Sequence, residues 1–173
     1  MSLSLYDVIV PSFLQVLGGT ASVLKKGAAH FEANNTDANA IVDFRLAPDM
    51  LPFWFQVSSV AHHTIDAING VKAGVFSPGG AAPPLTYADL QKLITDAQDA
   101  LAKVTPEELN ELQGNDMVFA MGEMKIPFTA EGFLMSFSLP NLHFHAATAY
   151  DILRNQGVKL GKRDYLGAMQ TRS

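Results

Sequence analysis

Residues 141–158 read NLHFHAATAYDILRNQGV, and the way their apolar side chains fall round a helix decides the architecture. On a wheel stepped by about 100° per residue from Asn141, the residues Ile152, Ala149, Leu142, Leu153 and Ala146 lie between about 20° and about 140°. That is one apolar face, and Gly157 ends it. His145 falls near 40°, inside the apolar sector, and His143 near 200°, beside Arg154. His145 is therefore predicted to look into the protein and His143 toward its rim. Asn141 precedes His145 by four residues, so the two share a face and can share a ligand.

The same face extends backward. The pattern predicts a long helix from about Ala130 to Gln156 with a kink at Pro140. Before it, Met117–Met121 and Met124–Phe128 read as the arms of a hairpin around Gly122-Glu123, a pair suited to a type II′ turn. Pro127 makes the second arm an edge strand. Upstream, Thr86 caps a helix over Tyr87–Val104, with Leu90, Leu93, Ile94, Ala97 and Leu101 on one side. Thr105-Pro106 opens a short helix that reaches about Leu112.

Helix 2 is expected over Leu51–Asn69, with Asp49 as its cap, Pro52 in its first turn and Gly70 beyond its end. Val71–Pro84 reads as loop, and a short helix is expected at Asp37–Phe44. Helix 1 is expected to begin near Asp7–Val10, with Pro11 in the opening turn, and to run to Ala33. Its stripe is Phe13, Leu17, Leu24 and Phe31, and Asn34-Asn35 ends it. Gly18-Gly19 suits close approach by another helix or a second subunit. The tail, residues 158–173, reads as mostly irregular. Four long helices and one hairpin predict an all-α four-helix bundle in a single domain spanning 1–173.

Composition is consistent with this. Hydrophobic residues make up 48% and charged residues 17% of 173, which is a globular balance with a sizeable core. The net charge of −5 argues against nucleic acid as a partner. The absence of cysteine removes thiolate ligands and thiol nucleophiles. There is no basic leader before an apolar run, and no uninterrupted apolar stretch reaches about 18 residues. The expectation is a cytoplasmic protein without a membrane partner.

Helix 2 carries His62-His63. Its apolar face runs through Phe53, Val57, Val60, Ala61 and Ile68. His62 falls nearly opposite that face, and His63 falls at its edge, in line with Gln56 and Val60. His30 on helix 1 is a third edge histidine. No HExxH motif, phosphate loop, dinucleotide fingerprint or nucleophile elbow is present.

The run His145-Ala-Ala-Thr-Ala-Tyr-Asp-Ile-Leu-Arg-Asn-Gln-Gly-Val158 resembles the end of the last bundle helix in DinB/YfiT-like proteins. There a histidine opens H-x-x-x-x-Y-x-x-L-R-x-x-G-V. With MSLSLYDVIVPSFLQVL (1–17), RLAPDMLPF (45–53) and LPNLHFHAATAYDILRNQGVKLGKRDYLG (139–167), nearly the whole chain is similar to one branch of that superfamily, a bacterial domain family of unknown function. The resemblance implies a DinB-like topology, often dimeric. In the wider superfamily a histidine on helix 2 and an HxxxH pair on the last helix bind a divalent metal, and members with this triad include thiol-dependent transferases and isomerases. Carried over, His63 matches the first ligand and His145 the last, while Asn141 occupies the middle position. His30 is the candidate replacement ligand. Three functional expectations follow. One is a degenerate histidine site for zinc or nickel. A second is a metal-free pocket in which Gln56, His63, Asn141 and His145 hold a small molecule. The third is a homodimeric scaffold with structural histidines. No residue is assigned a catalytic role.

Overall fold

The computed structural model describes residues 3–79 and 85–171; Pro83-Pro84, read as the end of a loop, lies outside them. Helix α1 (Leu5–Ala33) starts earlier than expected. Ser4 Oγ accepts from the Asp7 N–H, and the Asp7 carboxylate accepts from the Ser4 N–H at 3.0 Å, a reciprocal cap that satisfies two end groups. Pro11 therefore sits inside the helix, not in its opening turn. The Asn34 N–H closes the other end, and Asn35 turns the chain away with φ 53°. By length and mean hydropathy (1.4 over 18 residues) α1 passes for a membrane-spanning helix, although a count of uninterrupted apolar residues missed it; half of that window is buried in the bundle.

Between α1 and the second long helix, Asp37 caps a short 3₁₀ turn, Ala38–Ile41, rather than a helix reaching Phe44. The second long helix begins at Phe53, and Asp49 does not cap it. Its first N–H groups are taken by backbone instead: Phe53 donates to the Phe44 carbonyl (2.8 Å) and Trp54 to the Val42 carbonyl (3.0 Å). Such end groups must find some acceptor, and here the incoming segment supplies it. Arg45 donates to the Met50 carbonyl, and among the described residues it forms no ion pair with Asp43 or Asp49.

This helix is built from α2 (Phe53–Ala61), a wide π turn (His62–Asp66) and α3 (Ala67–Ala73). It continues past Gly70, which is buried where a Cβ would meet the Phe76 side chain at 3.0 Å. Gly74, at φ 73°, is the terminating residue. The segment expected to be loop then contains β1 (Val75–Phe76), paired in parallel with β2.

Helix α4 (Tyr87–Leu101) is capped by Thr86 with Asp89, and α5 (Pro106–Asn110) by Thr105. Strands β2 (Asp116–Met121) and β3 (Met124–Thr129) form the hairpin. Of its two loop residues only Gly122 has positive φ, 58°, the signature of a type II′ turn. β3, with Pro127, is an edge of the three-stranded sheet ordered β1-β2-β3. The last long helix is α6 (Ala130–Phe133), a second π turn (Leu134–Ser138) and α7 (Leu139–Asn155). The irregularity lies just before Pro140, where proline's missing N–H already interrupts the bonding ladder.

The long helices pack as a closed square in which α1 touches α4 and α7, and α2 touches the same two. Phe13, Leu17, Phe53, Ile94 and Leu142 are among its fully buried residues. The tail is more ordered than expected. α8 (Lys162–Leu166) lies on α1, where a Cβ at Gly19 would stand 2.3 Å from the Tyr165 carbonyl oxygen. Gly19 thus seats the chain's own tail, whereas Gly18 faces Gln98 of α4.

Candidate functional site

The two π turns face each other. Ser138 Oγ, at the end of one, donates to the His63 carbonyl in the other (2.9 Å) and lies 3.4 Å from His63 Nδ1. A π turn holds one extra residue, so it changes the phase of the side chains that follow. His62, predicted to oppose the apolar face, instead stands beside His63 on the wall of the same cavity, with ring centroids 5.6 Å apart. Its Nε2 lies 3.0 Å from the Ser77 carbonyl and its Nδ1 3.1 Å from Asp66.

The cavity measures about 550 Å³ and lies between α2, the first π turn, α4 and α7. His63 is 7% exposed. Its ring stacks on that of His145, with centroids 5.8 Å apart and planes 13° from parallel. His145 is positioned by Gln56, itself 2% exposed. Gln56 Nε2 donates to the Leu51 carbonyl (2.8 Å), so its Oε1 is the atom left facing His145 Nδ1, also at 2.8 Å. A carbonyl oxygen only accepts. His145 Nδ1 therefore carries the proton, and Nε2 holds the lone pair.

His63 follows the same logic. The Ser138 hydroxyl proton is committed to a carbonyl, so Ser138 Oγ accepts from His63 Nδ1 and leaves His63 Nε2 as an acceptor. Among the described residues that nitrogen has no hydrogen-bond partner. Burial pushes the His63 imidazole down to about 3, with the neighbouring rings of His62 and His145 adding to the effect. Burial likewise pushes His145 down to about 4, with His62 contributing. Both rings are neutral near pH 7.

Asn141 lines the cavity too. Its amide donates to the Phe137 carbonyl (2.7 Å), leaving Oδ1 available. Apolar walls come from Trp54, Phe55, Phe76, Phe119 and Phe137. The Ser58 hydroxyl, buried on the same wall, has no partner among the described residues. Gln56, His63, Asn141 and His145 are thus brought together, with Gln56 behind the wall. His30 is not. It lies at the end of α1, its ring against Phe31, near Asn34 and Gly157, and it takes no part in lining the cavity. His143 is exposed, with Nδ1 2.9 Å from Tyr165 Oη. Sequence reasoning missed Ser138 and Phe76, because both depend on irregular backbone that no local motif announces.

A divalent metal does not fit these residues. Zinc and nickel sites take three or four strong donors, and among the described residues no group of three His, Cys, Asp or Glu side chains is arranged to hold an ion. Beside His63 and His145, Asn141 offers an amide oxygen, a weak ligand for such metals, and both ring nitrogens of His62 are engaged by Asp66 and the Ser77 carbonyl.

Comparison with known proteins places this architecture. A family described as "Domain of unknown function (DUF1993)" matches residues 5–166, and the chain belongs to that family. No curated protein matches. Among solved structures, a DinB family member protein from Shewanella denitrificans is similar at 26% identity. The match covers 98% of this chain and 95% of that one, with a TM-score of 0.80. The fold is an all-α, DinB-like four-helix bundle with a small sheet.

Proposed function

We propose that this DUF1993 protein binds a small organic molecule, without a resident metal, in the cavity walled by His63, His145 and Asn141. One observation carries the reading. His63, 7% exposed on the cavity wall, is oriented by Ser138 so that Nε2 is an acceptor with no partner among the described residues. An acceptor at the cavity wall that no protein group engages is open to a ligand's donor. The supporting features are the cavity's size, its aromatic walls and its few convergent polar atoms, which together are typical of small-molecule pockets.

Trp54 is the chain's single tryptophan and lines the cavity, so its emission reports occupancy directly. Heteronuclear NMR with a fragment library should shift His63, His145 and Trp54 together, with a saturable change in Trp54 fluorescence. Fragments that shift only the hairpin or the tail would refute the pocket. Zinc or nickel binding below micromolar concentration, abolished in His63→Ala/His145→Ala, would replace this reading with a metal centre.

A further inference from the structure

We propose that the molecule taken by this cavity is an organic amine, an N–H-donating cationic head on an aromatic or otherwise apolar body. This rests on the small-molecule reading above and specifies its chemistry.

The atoms left free on the cavity wall decide which head group fits. The Nδ1–H groups of both inward imidazoles are engaged, one by Gln56 and one by Ser138. What they turn to the cavity is two lone pairs. Asn141 adds a third acceptor, Oδ1, with one of its two amide N–H groups given to the Phe137 carbonyl. A head group meeting the two imidazole lone pairs must donate, and the Ser58 hydroxyl on the same wall is able to accept from it as well. A carboxylate or phosphate would set lone pair against lone pair.

Charge points the same way. The rim carries Asp66, Asp89 and Asp96 against Lys92 and, when protonated, His62 beside Asp66. Lys92 is spoken for, with Nζ 2.8 and 2.6 Å from the two carboxylate oxygens of Asp96. Both ring nitrogens of His62 face oxygen acceptors, Asp66 and the Ser77 carbonyl, so His62 offers no donor to an anion. The rim therefore has a net negative field, which attracts cations and repels anions. A cationic head leaving water needs compensation. The rings of Trp54, Phe55 and Phe137 line the cavity, and aromatic rings attract positive charge through their quadrupoles. Their area also accounts for an apolar body behind the head.

The test compares three probes that share one body: 2-phenylethylamine, 2-phenylethanol and 3-phenylpropanoate, each titrated into the full chain while Trp54 emission and the His63 and His145 NMR signals are followed. The expected order is amine tightest, by at least fivefold over the alcohol, with the carboxylate weakest. Asn141→Leu and His145→Phe preserve the apolar wall, and circular dichroism verifies their fold; each should weaken the amine at least fivefold. If the alcohol or carboxylate equals or exceeds the amine, or if both variants bind the amine as well as the parent, the amine assignment fails while the pocket stands. If none of the three probes perturbs Trp54, both readings fall.

Discussion

The Ser138 hydroxyl closes on His63 twice, giving its proton to the His63 carbonyl at 2.9 Å and standing 3.4 Å from Nδ1 of the ring. Ser138 is fully buried, and these contacts join the two π turns of the long helices. Removing the hydroxyl by Ser138→Ala leaves the His63 Nδ1–H without a partner. The expected loss is about 1–3 kcal/mol, read from urea unfolding, and the His63 ring should become free to change tautomer. Direct ¹⁵N observation of the imidazole should show Nδ1 and Nε2 protonation exchanging in the variant and fixed in the parent.

Gln56→Leu tests the neighbouring imidazole. It keeps an apolar residue of similar length at a position that is 2% exposed, but it removes the acceptor for His145 Nδ1. Stability should fall by about 1–3 kcal/mol. Gln56→Glu should instead raise the His145 pKa, because a carboxylate beside the ring favours its charged form. NMR titration of the His145 Cε1–H signal distinguishes the two outcomes.

The pH dependence of stability follows from the same burial. The folded-state values of His63 and His145, about 3 and about 4, lie below the unfolded value of about 6.5. Above pH 6.5 both states leave these rings neutral, and pH has no leverage through them. Below it the unfolded chain takes up protons that the folded chain refuses. Stability therefore falls as pH drops from about 6.5 toward about 4, by up to about 1.4 kcal/mol per unit for each ring before solvent screening of the partly exposed His145. Urea midpoints at pH 7.5 and pH 5.0 should differ, and the difference should shrink in His63→Gln.

Tyr87 is pinned across the bundle. Its hydroxyl donates to the Leu24 carbonyl (2.8 Å), and burial raises its pKa. A Cβ added at Gly27 would lie 2.3 Å from that hydroxyl. Gly27→Ala should destabilise by about 1–3 kcal/mol through overpacking, whereas Tyr87→Phe should cost about 1 kcal/mol for the lost bond. In the double variant the two penalties should be less than additive, since the phenyl ring removes the clashing oxygen. Thermal unfolding of the four proteins measures this.

Gly19→Ala should lift α8 off α1, because the added methyl carbon would fall 2.3 Å from the Tyr165 carbonyl oxygen. Trypsin cleavage at Lys162 and Arg163 should quicken severalfold while the four-helix core stays protected, as amide exchange along α4 and α7 would show.

What was legible in the sequence had a local cause. The Thr86–Asp89 cap, the Asn34-Asn35 stop and the Gly122 turn each rest on side chains within a few residues of one another, so pattern alone finds them. The start of α2 does not. Its end groups are satisfied by Val42 and Phe44 across a turn, and Asp49 was the only visible candidate. The grouping of Gln56 with His63, and of Asn141 with His145, follows from helical spacing. The partnership of Ser138 with His63 does not, because it spans 75 residues and two irregular turns. The two-residue β1 is too short to leave a pattern, yet it brings Phe76 against His62, with ring centroids 4.4 Å apart.

The seat that Gly19 makes for Tyr165 also orders events in time. The groove on α1 stays uncovered until residue 165 has been synthesised, because the contact closes a loop of almost the whole chain. Such distant pairing is slow to find. A nascent chain shorter than that therefore displays a small-residue furrow on its first helix, open to any other segment that reaches it before its own tail does.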